Sequence, residues 1–128
     1  MDVRELLNAV DMKYPNDVEQ AHKWEWITTL DKLLRDESLL THHLSVWEEK
    51  KSEEIQQMTV ARSDYEPLVQ PPYQEVYVHY IAMQMALINL DNDAYANESA
   101  LYNNALLTWK NMFNRTHRSR YDGDRWRF

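Results

Sequence analysis

The segment 71–117 reads PPYQEVYVHYIAMQMALINLDNDAYANESALYNNALLTWKNMFNRTH, and it decides the fold. Two prolines open it, and the rest contains neither glycine nor proline, the strongest helix breakers. Apolar residues at helical spacing predict an amphipathic helix over about 73–90. A second helix is predicted to begin between residues 93 and 97 and to run to about 114. The Asp-Asn-Asp turn between them is short, so we expect an antiparallel helix pair.

The first helix of this pair is apolar on nearly all sides. Its broad face is expected to contain Tyr73, Val76, Tyr77, Tyr80, Ile81, Gln84, Leu87 and Ile88, and Val78, Met83 and Met85 make the other side apolar too. Such a helix is either central in the core or shared with a partner. We expect these aromatic residues of the pair to belong to the core: Tyr77, Tyr80, Tyr102 and Trp109.

Residues 1–47 predict two more helices. The first covers 2 to 12 or 13 and ends at Tyr-Pro-Asn, because proline disfavours helix in the residue before it. Asn16 or Asp17 is expected to cap the second. Its apolar stripe is Trp26, Leu30, Leu33, Leu40, Leu44 and Trp47, with Ile27 and Leu34 alongside. Glu37 interrupts the stripe, so a kink or break is expected there.

The segment 48–70 has a weaker pattern. Residues 48–54 read EEKKSEE, which is typical of a solvated helix end or a mobile loop. Residues 55–70 have no clear period, and Met58-Thr59-Val60 is compatible with a short strand or hairpin arm. The expected fold is therefore all-α, a small bundle of about four helices. A long, partly irregular loop joins helices 2 and 3, with a possible short β-arm.

Length and composition set the class of protein. The chain has 128 residues, enough for one domain with its own core, and it has no cysteine and a single glycine. The N-terminal residues do not resemble a signal peptide, and no apolar run approaches the roughly 18 residues of a membrane span, so we expect a soluble protein. We divide the chain into a helical domain, 1–117, and a C-terminal tail, 118–128.

The charge is unevenly distributed. The formal net charge is −7, which argues against a general nucleic-acid-binding protein. Five arginines and two aspartates give residues 115–128 about +3, which leaves about −10 for the rest. Aromatic and arginine side chains in an irregular tail suit a partner's pocket. A tail without a role is the alternative interpretation.

No pattern indicates catalysis or metal binding. The five histidines form no H-E-x-x-H motif, and we interpret them as surface or interface residues. Residues 91–93 resemble the start of a calcium loop, but Ala96 and Tyr102 stand where such a loop needs glycine and glutamate. A helix corner explains them better. Without cysteine there is no thiol nucleophile, and one glycine cannot form a phosphate-binding loop. We expect a protein that is not an enzyme and has no cofactor or metal.

The sequence resembles a family of structural phage proteins. The residues that carry the resemblance are Pro71-Pro72-Tyr73 with Tyr77 and Tyr80, the acidic turn, Tyr95, Asn97, Tyr102-Asn103-Asn104-Ala105 and Asn114-Arg115-Thr116-His117. This pattern is similar to the C-terminal half of head-tail connector proteins of tailed phages and prophages, also called head-completion or adaptor proteins. The earlier run Trp26-Ile27-Thr28-Thr29-Leu30 is also similar, whereas residues 121–128 match no part of the pattern.

The resemblance implies a structural virion protein. Such a protein docks on the portal and forms a ring, commonly of twelve copies, in the neck of the particle after assembly in the host cytoplasm. The ring extends the DNA channel without sequence-specific binding and joins the head to neck or tail proteins. An acidic body is compatible with a channel wall, because like charge keeps DNA from adhering.

Two further hypotheses follow. We assign portal or subunit docking to Arg115, Arg118, Arg120, Arg125, Trp126, Arg127 and Phe128, and the loop 55–70 is a second candidate contact. The alternative function is a small helical regulatory or adaptor protein that binds one protein partner. A third alternative, an enzyme, would need a polar pocket with perturbed titratable groups.

Overall fold

The structure, a computed structural model, describes residues 2–59 and 64–119. These residues form an all-α fold of five helices, with no strand beyond one isolated bridge between His42 and Ser119. The helices are α1 (Val3–Lys13), α2 (Gln20–Glu37), α3 (Val46–Gln57), α4 (Glu75–Ile88) and α5 (Asn92–Thr116), with a 3-10 turn at Leu39–Thr41. The prediction of an all-α protein is confirmed.

The first helix forms where the sequence predicts it. Asp2 caps α1, because its carboxylate accepts the Glu5 N–H at 3.0 Å. The helix buries one apolar face, which consists of Val3, Leu6, Leu7 and Val10. Asn16 was expected to cap the second helix. Instead its side chain accepts the Val18 N–H and organises the turn between the helices, and α2 begins at Gln20.

The second predicted helix is divided into two, so five helices replace the expected four among the described residues. Helix α2 ends at Glu37, where a break was expected, and Ser38 is its C-cap. A new helix begins because Ser45 and Glu48 form a capping box, in which each side chain bonds the other's backbone N–H. The charged residues 48–54 therefore lie within α3, and the mobile-loop alternative is wrong.

The buried face of α2 differs from the predicted stripe. Ile27, Leu30 and Leu34 are fully buried, but Leu33 and Leu40 are exposed. The buried face instead includes two charged side chains, Lys23 and Asp31. Both have partners: the Lys23 ammonium lies 2.7 Å from Asp11, and Asp31 accepts hydrogen bonds from the segment 64–70 and from α4. Pairing makes their burial possible.

The segment after α3 packs onto the core. Tyr65, Leu68 and Val69 are buried in the core, whereas Asp64 and Glu66 in the same segment are exposed. Met58 and Thr59 follow α3 in irregular backbone, and Val60 lies outside the described residues, so the β-arm is not confirmed. The peptide bond between the two prolines that precede α4 is cis.

Helices α4 and α5 form the expected antiparallel pair. The rings of Tyr80 and Tyr102 lie 5.3 Å apart, and the Ser99 hydroxyl donates to the Met83 sulfur at 3.2 Å. Of the expected core aromatics, Tyr77, Tyr102 and Trp109 are buried and Tyr80 is partly buried. One end of the pair therefore contains the start of α4 and the end of α5, and the opposite end contains the turn that joins them.

Candidate interaction site

An exposed group of apolar residues lies at the turn between α4 and α5. We call Leu87, Ile88 and Leu90 the apolar tip. Their exposed fractions are 53%, 56% and 83%, although the sequence pattern places the first two on the broad apolar face of the helix. Three large exposed apolar side chains within four residues are typical of a contact surface.

Leu90 also has an unusual backbone conformation. Its φ is 55°, in the left-handed region that favours glycine. The Leu90 N–H donates to Leu87, and the Asp91 N–H donates to Ala86, which is the bonding pattern of a Schellman helix end. Glycine is the usual residue at this position. A leucine here is both conformationally costly and exposed.

An aromatic pocket lies at the opposite end of the helix pair. It has a volume of about 270 Å³ and lies between the start of α3, the residues before α4 and the end of α5. Its lining is mainly apolar and includes Trp47, Tyr73, Trp109, Met112 and Phe113. Cavities of roughly 150 Å³ already accept a benzene ring. This pocket therefore has room for one or two apolar side chains.

Two polar residues at the edge of this pocket, Glu48 and His117, contact each other and neighbouring groups. The His117 Nε2 lies 2.6 Å from a Glu48 carboxylate oxygen, and the His117 ring stacks on Phe113 at 3.9 Å. The same Glu48 side chain completes the cap of α3. This histidine thus joins the end of α5 to the start of α3 and fixes the shape of the pocket.

The outward face of α5 has no fully exposed charged residue over most of its length, and the partly exposed Lys110 at its edge is paired with Glu37 at 2.6 Å. Between Asp93 and Arg115 its exposed side chains, apart from Tyr95, are Ala96, Asn97, Ala100, Leu101, Asn103, Asn104, Leu107, Thr108, Asn111 and Asn114. We call this set the neutral face. In a chain with 27% charged residues, a solvated helix face would normally contain lysine and glutamate. The composition of the neutral face favours contact with another protein.

Two buried polar clusters hold the bundle together. In the first, Asp31 accepts the hydroxyls of Tyr65 and Tyr77, each at 2.5 Å, and the Leu68 N–H at 3.1 Å. Burial raises the pKa of Asp31 to about 6, although these bonds and Lys51 act in the opposite direction. Burial and the nearby carboxylate also raise the pKa values of both tyrosines.

The second cluster joins α1 to the helix pair. Glu98 accepts the Tyr14 hydroxyl at 2.9 Å with one oxygen, and its other oxygen lies 2.8 Å from the His79 ring. The second ring nitrogen of His79 lies 3.3 Å from Glu75. Burial, together with the bond to Glu98, raises the pKa of Tyr14 to about 12. The sequence interpretation placed the histidines at the surface or in an interface, but His79 is buried within the domain, which corrects that prediction.

These clusters are best described as structural. Both oxygens of Asp31 and of Glu98 are bonded within the protein and link separate helices and segments of the fold. Over residues 2–59 and 64–119 no group of three or more histidine or acidic side chains is arranged to hold a metal ion. None of the helices in these ranges is long and apolar enough to cross a membrane.

The structure describes only two of the seven predicted docking residues. Arg115 and Arg118 are exposed near the end of α5, and the Arg118 carbonyl accepts the His43 N–H at 2.8 Å. The other five lie outside the described residues: Arg120, Arg125, Trp126, Arg127 and Phe128. Arg115 borders the neutral face, where it lines a shallow depression with Thr108, Asn111 and Asn114. The predicted basic site and the neutral face are therefore adjacent.

Sequence reasoning missed the apolar tip and the aromatic pocket. Helix α4 has apolar residues on nearly all sides, which indicates that some of them are exposed. Periodicity alone does not show at which residue the helix leaves the core. The pocket combines residues from three distant segments, so no local pattern indicates it. Comparisons with protein-family models, curated proteins and solved structures found no match to this chain.

Proposed function

We propose that this chain is a structural virion protein, a head-tail connector of a tailed phage or prophage. It docks on the portal, forms a ring that extends the DNA channel, and joins the head to neck or tail proteins. The neutral face of α5 is the observation that supports this proposal best. A 25-residue helix is about 37 Å long, and over most of that length its outward side has no fully exposed charged residue.

The charge of the chain explains why a neutral face matters. Copies of a chain with a net charge of −7 repel one another wherever acidic surfaces meet. Along the neutral face two copies can approach without that repulsion, and the asparagine amides there can donate and accept hydrogen bonds. The basic residues Arg115 and Arg118 at its end extend the contact toward an acidic partner surface.

Portal binding is the direct test of this function. The full chain and a truncation after His117 are mixed with the purified portal protein of the same phage, and binding is measured by light scattering. We expect many copies to bind per portal, and we expect truncation to weaken binding because it removes all the predicted arginine and aromatic contacts except Arg115. A complex with a single copy would favour the alternative, a small helical adaptor of one partner.

A surface substitution tests the role of the neutral face separately. Leu107→Glu places a charge in the middle of this face, and we expect it to abolish the multi-copy complex. Gln57→Glu adds the same charge at the exposed end of α3 and is the matched control. Equal complexes with both variants would show that α5 does not form the subunit contact.

A further inference from the structure

We propose that the aromatic pocket is covered by this chain's own segment 124–128, which folds back as the second arm of a hairpin and inserts the Phe128 ring. The contact lies within one chain, so it does not depend on the proposed function. Three observations support it: the place where the described chain leaves α5, a turn signal in the sequence that follows, and the alternation of residue types after that turn.

The described chain leaves α5 at the edge of the pocket. His117 lines the pocket and is the C-cap of α5, and its backbone is extended, with φ −126° and ψ 128°. The Arg118 carbonyl then accepts the His43 N–H at 2.8 Å, and Ser119 lies opposite His42 in an antiparallel bridge. Residues 117–119 are therefore extended and paired with the connection that precedes α3.

The direction of this pairing shows that the chain must turn back to reach the pocket. Paired segments that are antiparallel run in opposite directions, so beyond Ser119 the chain passes His42 toward Thr41. The pocket lies the other way along that connection, toward Ser45. The sequence places Asp122-Gly123, with the only glycine of the chain, shortly after this point. Asp-Gly is a preferred two-residue hairpin loop, because both central residues of that turn have a positive φ.

The register of such a hairpin brings Phe128 to the pocket. With a two-residue loop at 122–123, residue 121 lies opposite 124, and the same count places Phe128 opposite His117. Directly opposite residues of an antiparallel pair have their side chains on the same face. The His117 ring stacks on Phe113 at 3.9 Å and lines the pocket. The Phe128 ring is therefore on the pocket side of the hairpin.

The residues after the turn have the composition of a half-buried strand. Residues 125–128 read RWRF, so basic and aromatic side chains alternate with a period of two. Trp126 and Phe128 then share one face, and Trp126 lies opposite Ser119. The pocket volume of about 270 Å³ accommodates a phenyl ring, because cavities of roughly 150 Å³ already accept benzene.

The charges near the pocket also favour this segment. Glu48 lines the pocket and Glu49 is exposed next to it, so the negative potential there attracts a basic segment. Arg125 and Arg127 lie on the outward face of the hairpin, beside other arginines of the first arm. Repulsion between these like charges offsets part of the gain from the buried rings. The arginines stay accessible to an acidic partner surface.

Thiol protection tests the contact, because the natural chain has no cysteine. Met112→Cys places a reporter in the pocket lining, and its rate of alkylation by iodoacetamide is measured in the full chain. Adding Phe128→Ala should raise this rate about tenfold, since burial of an aromatic ring contributes at least that factor. Arg127→Ala, the neighbouring outward residue, is the matched control and should leave the rate unchanged.

Two further variants make the result specific. Gly123→Val should raise the rate as Phe128→Ala does, because a β-branched residue disfavours the positive φ of the turn. A second reporter, Tyr73→Cys, lies elsewhere in the pocket lining and replaces Met112→Cys if that variant does not fold. Leu107→Cys, on the neutral face, should react at the same rate with every tail.

Each outcome decides for or against the proposal. If Phe128→Ala leaves the rates of both pocket reporters unchanged, the tail does not cover the pocket. Protection that falls on dilution would indicate the tail of a second copy and would also overturn the contact within one chain. Protection that is independent of protein concentration supports it. Because portal binding is not part of this measurement, a protected pocket in a chain that binds no portal keeps this contact and removes only the connector function.

Discussion

The backbone N–H of Asp91 donates to the carbonyl of Ala86 at 3.0 Å, and this bond closes helix α4 around Leu90. The closure requires a left-handed residue between them, and the chain provides leucine where glycine is usual. The turn that makes α4 and α5 antiparallel is thus also the turn that directs an apolar side chain into solvent. Fold and candidate contact surface depend on the same residue.

Replacing Leu90 by glycine should stabilise the isolated subunit. A non-glycine residue in the left-handed region costs roughly 1–2 kcal/mol, and glycine loses part of that gain through its larger unfolded-state entropy. We expect the free energy of unfolding to rise by about 0.5–1 kcal/mol, measured by urea denaturation. Asn89→Gly, at a right-handed position in the same turn, should lower it. A Leu90→Gly variant less stable than the natural chain would refute the strain argument.

Asp31 should make stability depend on pH. Its folded pKa of about 6 lies above the unfolded value near 4, so the folded state binds more protons between these pH values. Its contribution is therefore most favourable below about pH 4 and is lost as the pH rises through 6. The natural chain's advantage over Asp31→Asn should shrink across this range, by on the order of 3 kcal/mol, in urea unfolding at a series of pH values. A constant difference would show that the carboxyl does not titrate there.

Tyr77→Phe should destabilise the bundle more than other tyrosine substitutions. The Tyr77 hydroxyl donates to Asp31 and accepts the Val69 N–H at 2.8 Å, so its removal leaves a buried donor and a buried acceptor each short of one bond. Each such loss costs about 1–3 kcal/mol. We expect a total of about 2–4 kcal/mol by chemical denaturation. Tyr102→Phe, at another buried tyrosine of the helix pair, should cost less than about 1 kcal/mol. Equal effects would remove the special role of the Asp31 cluster.

Glu98→Ala should loosen α1 from the helix pair. The substitution removes the acceptor of the Tyr14 hydroxyl and one carboxylate partner of His79, both in buried or half-buried positions. We expect a loss of about 2–3 kcal/mol and faster hydrogen exchange in α1. Glu53→Ala, on the exposed side of α3, should stay within about 0.5 kcal/mol. Unchanged hydrogen exchange in α1 would show that the Tyr14–Glu98–His79 cluster does not hold α1 against the helix pair.

Local pattern predicted most of the secondary structure. The antiparallel pair, the first helix and the break near Glu37 were all readable from apolar spacing and breaker residues. The start of α3 was missed, although its capping box, Ser45 with Glu48, is visible in the sequence. The charged residues 48–54 did not distinguish a helix from a loop, because a solvated helix and a solvated loop have similar compositions.

The site was less predictable. Arg115 and Arg118 were expected from charge and are exposed, while the rest of the predicted docking residues stay a sequence-based prediction. Lys23, Asp31 and His79 are buried, although polar side chains are normally expected at the surface. Their burial depends on partners that are distant in the sequence, such as Tyr77 for Asp31 and Glu98 for His79.

The sequence by itself determined the helical class, the pairing of α4 with α5 and the division between an acidic body and a basic tail. These properties follow from spacing, breakers and charge, which act over a few residues at a time. Only the tertiary structure decided which apolar side chains stay exposed, and that unlike patches occupy opposite ends of one helix pair. The physical reason is that burial is a property of the packed molecule. A leucine at position 87 or 90 is buried or exposed according to which other elements pack against it. The neighbouring residues in the sequence do not determine that packing.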